Sequence, residues 1–186
     1  KIRINGFDIH KNKKELEGVI GFVSQDDLLM EELTVYQNLY FNAKLCFSNL
    51  NESELHQRVM ETLEDLGLEQ RKDLKVGNVL DKKISGGQRK RLNIALELIR
   101  EPAILFLDEP TSGLSSRDSE NVIDLLKELS LKGKLIFVVI HQPSSDIYKM
   151  FDKMIILDVG GFQIYYGNPV EAVTYFQDII NAATKT

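Results

Sequence analysis

The sequence predicts an α/β fold: a mostly parallel sheet with helices on both faces, interrupted by an inserted all-α subdomain. Three observations carry this. Val19-Ile20-Gly21-Phe22-Val23, Ile104-Leu105-Phe106-Leu107 and residues 135–140 are short apolar runs. Such runs read as buried strands of a parallel sheet, which lack the alternation of half-exposed strands. Residues 119–131 lie between the last two and align Val122, Leu125, Leu126 and Leu129 on one helical face, which makes a strand–helix–strand crossover. Residues 34–70, between the first two, carry helical periodicity alone.

The chain opens on a short strand, residues 1–4, and a turn at Asn5-Gly6. The strand at 19–23 ends abruptly in Ser24-Gln25-Asp26-Asp27. Thr34 can cap a helix running to about residue 45, with Val35, Leu39 and Leu45 on one side. Asn51 followed by Glu54 resembles a capping box, and its helix carries Leu55, Val59, Leu63 and Leu66 before a stop at Gly67. Residues 74–83 are polar and irregular. A second long helix is expected over 87–100, with Leu92, Ala95, Leu96 and Ile99 facing inward and Pro102 ending it. After the strand at 135–140 come a short helix at 147–151 and a hairpin of 154–157 with 163–166 around Gly160-Gly161. A terminal helix follows Pro169, a favoured first-turn residue.

Composition narrows the function. The 186 residues can bury a sizeable core, and 43% hydrophobic with 27% charged residues is ordinary for a globular domain. A net charge of -5 argues against a nucleic-acid partner held by a basic surface. The single cysteine, Cys46, excludes an internal disulfide framework and suits a reducing compartment. No apolar run approaches the ~20 residues that span a bilayer, and the first residues have no apolar leader core. A membrane role must come through a partner or a segment outside these residues.

The chemistry lies at strand ends. Asp108 and Glu109 close a buried strand, where open parallel sheets bind ligands. An aspartate there can hold Mg²⁺, and a neighbouring glutamate can orient or deprotonate a water that attacks a phosphoryl group. Taken alone, two solvated acids at a strand end are about as common. Ser85-Gly86-Gly87-Gln88 places two residues without Cβ at a helix start, where free amides and the helix dipole favour an anion. A Gly-Gly turn before a helix is also often a plain loop. Gln25 can ligand Mg²⁺ or touch the attacking water, although most loop glutamines are solvated. His141 can contact a γ-phosphate through a ring N–H, although a histidine bonded to backbone is the commoner case. His10 and His56 lie in polar stretches and read as ordinary surface residues. The order of these features is more specific than any one of them.

That order resembles the nucleotide-binding domain of the ATP-binding-cassette (ABC) family, from about residue 19 to 167. By the resemblance, Gln25 matches the Q-loop. Ser85, Gly86, Gly87 and Gln88 match the signature, with Ile84 in place of its usual leucine. Residues 104–108 match the Walker B strand and Glu109 the catalytic glutamate. Ser112, Gly113 and Leu114 begin the D-loop, and His141 matches the switch histidine. The implied fold is P-loop NTPase-like (RecA-like). The implied segments are a partial ATP-binding core at 1–33, a helical subdomain at 34–83, the signature-to-switch core at 84–167 and a C-terminal helix at 168–186. The implied cofactors are ATP and Mg²⁺, with Asp108 and Gln25 attending the metal. The implied partners are a second ATPase domain, closing head to tail, and a transmembrane domain, fused or separate. Residues 88–99, Ile140-His141-Gln142-Pro143-Ser144-Ser145, Met150-Phe151-Asp152-Lys153 and the late Gly160-Gly161 resemble the G-type branch. The branch implies an exporter working at the cytoplasmic face of the cell membrane. A soluble translation or DNA-maintenance ATPase is the alternative, but such members carry Asn-His-Leu-Asp where this chain has Ser112-Gly113-Leu114-Ser115. A non-catalytic regulatory module is a third reading.

Two departures stand out. The family's D-loop continues with Asp, whereas Ser115 stands here and Asp118 follows three residues later. Weaker communication across the dimer is expected. There is also no Gly-x-x-x-x-Gly-Lys-Ser/Thr loop in the 186 residues, so a lysine and amide cradle for the β and γ phosphates is missing. The expectation is a fragment lacking the N-terminal part of the ATPase core, weak in ATP binding by itself and prone to self-associate through unpaired sheet.

Overall fold

The computed structural model describes residues 2–78 and 83–183. The chain divides into two compact units, Lys1–His141 and Gln142–Thr186.

In the first unit, β1 (Arg3–Ile4) and β2 (Phe7–Asp8) form an antiparallel hairpin. Asn5 and Gly6 make its turn, both at positive φ (50° and 84°), as a two-residue hairpin loop requires. The main sheet has the order β3 (Ile20–Val23), β4 (Ile104–Asp108), β5 (Leu135–Val139), all parallel. Its register pairs Phe22 with Phe106 and Phe106 with Phe137.

Between β3 and β4 lies the helical insert, α1 (Val35–Cys46) and α2 (Glu52–Asp65) with a 3-10 turn at Glu69–Arg71. Both capping boxes form. Gln37 N donates to Thr34 Oγ1 (3.1 Å) and Thr34 N to Gln37 Oε1 (2.9 Å). Glu54 N donates to Asn51 Oδ1 (3.0 Å) and Asn51 N to Glu54 Oε2 (2.8 Å). The returning chain satisfies two more first-turn donors of α1: Val35 N bonds to Leu74 O and Tyr36 N to Lys72 O. Such groups have no partner within their own helix. Leu55, Val59 and Leu63 are buried as expected. Leu45 is not: it is 89% exposed, and Ala43 is buried in its stead. The buried stripe runs 35, 39, 43, and a residue ten positions after Val35 rotates off it.

Helix α3 (Gly86–Leu98) buries Leu92, Ala95 and Leu96, with Ile99 at its C-cap, and also Arg89, Lys90, Asn93, Ile94 and Leu98. It is covered almost all round because it packs on α1, α2, β3 and α4 (Ser116–Leu131) at once. Helix α4 begins three residues earlier than its apolar face suggests, since Ser115 rather than a later serine caps it by accepting from Asp118 N (3.1 Å). Residues 79–82 of the irregular stretch lie outside the described residues.

The helices of this unit cover one sheet face. A Cβ at Gly21 would lie 2.8 Å from Leu105 Cδ1 and 3.4 Å from Glu97 Oε2 of α3, and Val23, Leu105 and Leu107 are buried. The opposite face keeps Phe22 at 59%, Phe106 at 37% and Phe137 at 40% exposure. The Phe106 and Phe137 rings stack there at 4.8 Å. Each buried leucine on the covered face contributes roughly 1.5–3 kcal/mol. The three phenylalanines forgo roughly two-fifths to three-fifths of theirs within these residues.

The second unit holds α5 (Ser145–Lys149), the antiparallel hairpin β6 (Met154–Leu157) and β7 (Gln163–Gly167), and α6 (Pro169–Ala183). Gly160 and Gly161 sit at φ 81° and 79° in the connection. Pro169 is the first residue of α6, and its carbonyl accepts from Tyr148 Oη (2.5 Å).

Candidate functional site

The carboxyl edge of the main sheet brings three of the expected residues together. Asp108 is the last residue of β4. Glu109 follows with its amide on Val139 O (2.9 Å) and φ at 43°. A non-glycine residue in that region costs on the order of 1–3 kcal/mol, and such strain concentrates at functional sites. Gln25, two residues beyond β3, donates from Nε2 to Glu109 Oε2 (3.2 Å). The pair is 84 positions apart in sequence and meets because β3 and β4 are parallel neighbours.

This arrangement fits Mg²⁺. With its amide nitrogen on Glu109, Gln25 keeps its Oε1 as an acceptor, and Asp108 ends the strand that leads into Glu109. Among the described residues no group of three or more His, Cys, Asp or Glu could hold a metal ion. Mg²⁺ suits so sparse a set, since it keeps waters and takes phosphate oxygens beside one or two protein ligands.

The second constellation is the start of α3. Ser85 caps the helix: its Oγ accepts from Gln88 N (3.2 Å), while Ser85 N donates to Gln88 Oε1 (2.9 Å). The Gln88 side chain is therefore committed to the cap. The amides of Gly86 and Gly87 precede the helical ladder and, among the described residues, donate to no acceptor in the chain. They are donors at the positive end of the helix. Both glycines are packed from below. A Cβ on Gly86 would lie 3.1 Å from Leu114 Cδ2, and one on Gly87 would lie 2.6 Å from Asp118 Oδ1. The Ser85-Gly86-Gly87 turn thus rests on Leu114 and the first turn of α4. Gly113 occupies φ 71° between Ser112, whose amide bonds to Glu109 O (3.1 Å), and Leu114, whose amide reaches Thr111 O (3.3 Å). Asp118 accepts a hydrogen bond from Ser115 Oγ (3.0 Å). The carboxylate expected at 115 is present one helical turn later and faces inward to Gly87.

His141 is exposed, two residues beyond β5, and is followed by Gln142 at φ 47°. Among the described residues, Glu109 takes its side-chain hydrogen bond from Gln25, and none joins His141 to either.

Sequence reasoning missed the residues that hold the Gln25 loop. Arg89 forks onto Asp27 with Nε to Oδ2 (2.9 Å) and Nη2 to Oδ1 (3.2 Å), and its Nη1 donates to Gly77 O (2.5 Å). Lys90 Nζ donates to Gln25 O (2.7 Å). Asn93 Oδ1 accepts from Leu28 N (3.3 Å). Burial pulls the Lys90 ammonium below its ordinary range, against the opposing charges of Asp27, Asp26 and Asp108. An Arg-Lys-Arg run just past two glycines reads as a solvated face. The one available signal was that positions 89, 93 and 96 share a helical stripe with the apolar positions.

A three-stranded parallel sheet, helices packed on it, a helical insert, and an acid pair at the carboxyl edge define an α/β nucleotide-binding domain. Comparison with known proteins agrees. The model of the ABC transporter family matches residues 1–112, and that of the ABC-2 type transporter matches residues 141–183. The chain belongs to the ABC transporter family. ABC transporter G family member 22 of Arabidopsis thaliana is 41% identical over 89% of this chain and 22% of its own length. The broad substrate specificity ATP-binding cassette transporter ABCG2 of Bos taurus is 43% identical over 84% of this chain and 24% of its own. Among solved structures, cbiO1 from Clostridium perfringens, part of the ABC transporter complex cbiONQ, matches with a TM-score of 0.79. It is 29% identical and covers 96% of this chain and 70% of that one. The chain thus spans less than a quarter of the length of these two curated relatives.

Proposed function

We propose that this chain is the ATP-hydrolysing part of a membrane transporter, powering export of a substrate chosen by a transmembrane domain. The observation that carries this reading is the Gln25–Glu109 hydrogen bond (3.2 Å) beside Asp108 at the carboxyl edge of the sheet. Glu109 takes the proton of the attacking water, and Gln25 holds that carboxylate and the water in line. Asp108 and Gln25 Oε1 would hold Mg²⁺, whose charge would be supplied to the phosphate oxygens. His141 donates to the γ-phosphate. The 186 residues contain no phosphate-loop sequence, so the β and γ phosphates need a cradle supplied from outside them.

Two copies close head to tail. Ser85, Gly86 and Gly87 of one copy then donate to the γ-phosphate bound by the other, while Ser112, Gly113 and Leu114 line the seam. The 1–33 and 84–167 segments act as the catalytic core, 34–83 as the helical subdomain, and 168–186 as a C-terminal helix. No described helix is long and apolar enough to cross a membrane, and the match of residues 141–183 to the ABC-2 type transporter supports a membrane component. The domain works at the cytoplasmic face of the cell membrane, without nucleic acid.

Phosphate release by the full-length protein in lipid vesicles tests this. Turnover of ATP that is lost on chelating Mg²⁺, and that falls about 10²-fold or more in Asp108→Asn, is expected. A wild-type protein without Mg²⁺-dependent turnover contradicts the reading.

A further inference from the structure

We infer that Lys90 is the positioning residue that sets Gln25 against Glu109, and so ties the hydrolytic pair to the signature helix. Its Nζ donates to Gln25 O (2.7 Å), and the same residue's Nε2 reaches Glu109 Oε2 (3.2 Å). Lys90 is buried, with 7% of its surface exposed. A buried ammonium is costly unless it is paired and hydrogen-bonded. Here the carboxylates of Asp26, Asp27 and Asp108 offset that cost.

Its neighbours make the loop a rigid rider on α3. Arg89 clamps Asp27 and Asn93 holds the Leu28 amide. Residues 89, 90 and 93 of one helix thus grip 27, 25 and 28 of one loop. Of the three, Lys90 is the one whose hydrogen bond falls on Gln25 itself. Ser85 caps the same helix, roughly 7.5 Å along the axis from Lys90 at 1.5 Å per residue. A shift of the helix start, where the partner's phosphate is expected, is therefore passed through Lys90 to Gln25. The elements of this lever are all within the first unit.

The inference rests on the proposed ATPase reading, and a double-mutant cycle on the full-length protein separates the two. Lys90→Met is expected to lower kcat about tenfold while KM for MgATP stays within about twofold, because Asp108 keeps its hold on the metal side and what is lost is the setting of Gln25 against Glu109 and the water. Lys90→Arg, which keeps a charged donor, is expected to recover at least part of that loss. In a Gln25→Ala background, Lys90→Met is expected to cost less than about twofold more, since residues acting as one unit are not additive. Should Lys90→Met fold poorly, Lys90→Gln carries the same test, since its amide ends one bond short of the ammonium that reaches Gln25 O. A wild-type kcat in the single variant, or the same tenfold loss with and without Gln25, overturns the inference. Absence of Mg²⁺-dependent turnover in the wild type overturns the ATPase reading itself.

Discussion

Glu109→Gln in the full-length protein is expected to reduce ATP turnover by about 10²–10⁴-fold, the range a positioned general base supplies. The substitution is nearly isosteric. It can still hydrogen-bond Gln25, whose Nε2 now meets Glu109 Oε2 at 3.2 Å, through the amide oxygen. What it removes is the proton acceptor. Binding of MgATP should therefore survive, and nucleotide should accumulate unhydrolysed in the closed dimer. Single-turnover assays with retained nucleotide check both halves. Rapid hydrolysis with no retained ATP assigns the proton transfer to another group. The backbone should tolerate the change, since the left-handed φ of 43° is as accessible to Gln as to Glu.

Arg89→Ala is expected to be the most destabilising of the polar substitutions considered, at about 3 kcal/mol. The Arg89 side chain is 10% exposed and the Asp27 carboxylate it faces is 29% exposed. Removing one member of a buried pair typically costs about 3–5 kcal/mol because the other charge is stranded. Partial hydration of Asp27 places this pair at the low end. The loss also frees Gly77 O, which accepts from Arg89 Nη1, so the end of the helical insert loosens with the Gln25 loop. Arg100→Ala is the control. Arg100 pairs with Glu97 at 3.1 Å on the surface, with 43% of its side chain exposed, and such a pair contributes about 0–0.5 kcal/mol. Thermal unfolding should separate the two by about 6–12 °C for a unit of this size. Equal shifts contradict the buried-clamp account.

Local features were legible where the physics is local. Thr34 and Asn51 announce their helices as caps, and the Asn51–Glu54 box closes as expected because cap and partner lie three residues apart; Gln37 adds a box at Thr34 that was not expected. The three main strands show as apolar runs, and Asn5-Gly6 as a turn. Leu45 was misplaced because three apolar residues on a short helix fit more than one stripe. Ser115 was passed over as a cap because the apolar face of α4 begins later. The candidate site was legible only as an ordered set of motifs. No spacing rule brings Gln25 to Glu109, since that meeting depends on β3 and β4 being neighbours. Arg89 and Lys90 were illegible for the converse reason. Their burial comes from a helix covered on nearly every side, and local composition gave the opposite sign.

In the proposed dimer, Glu109 and Ser85 of one chain serve different nucleotides across the two-fold axis. Mixed dimers of full-length subunits test it most directly. Glu109→Gln alone disables both catalytic walls, and Ser85→Arg alone blocks both signature loops. A dimer with one subunit of each should keep one site intact, formed by the wild-type Glu109 of one subunit and the wild-type Ser85 of the other. The predicted result is near-zero turnover in each parent and recovery to about half the wild-type rate per mixed dimer, one of the two symmetric sites. Mixed dimers as inactive as their parents would contradict the assignment.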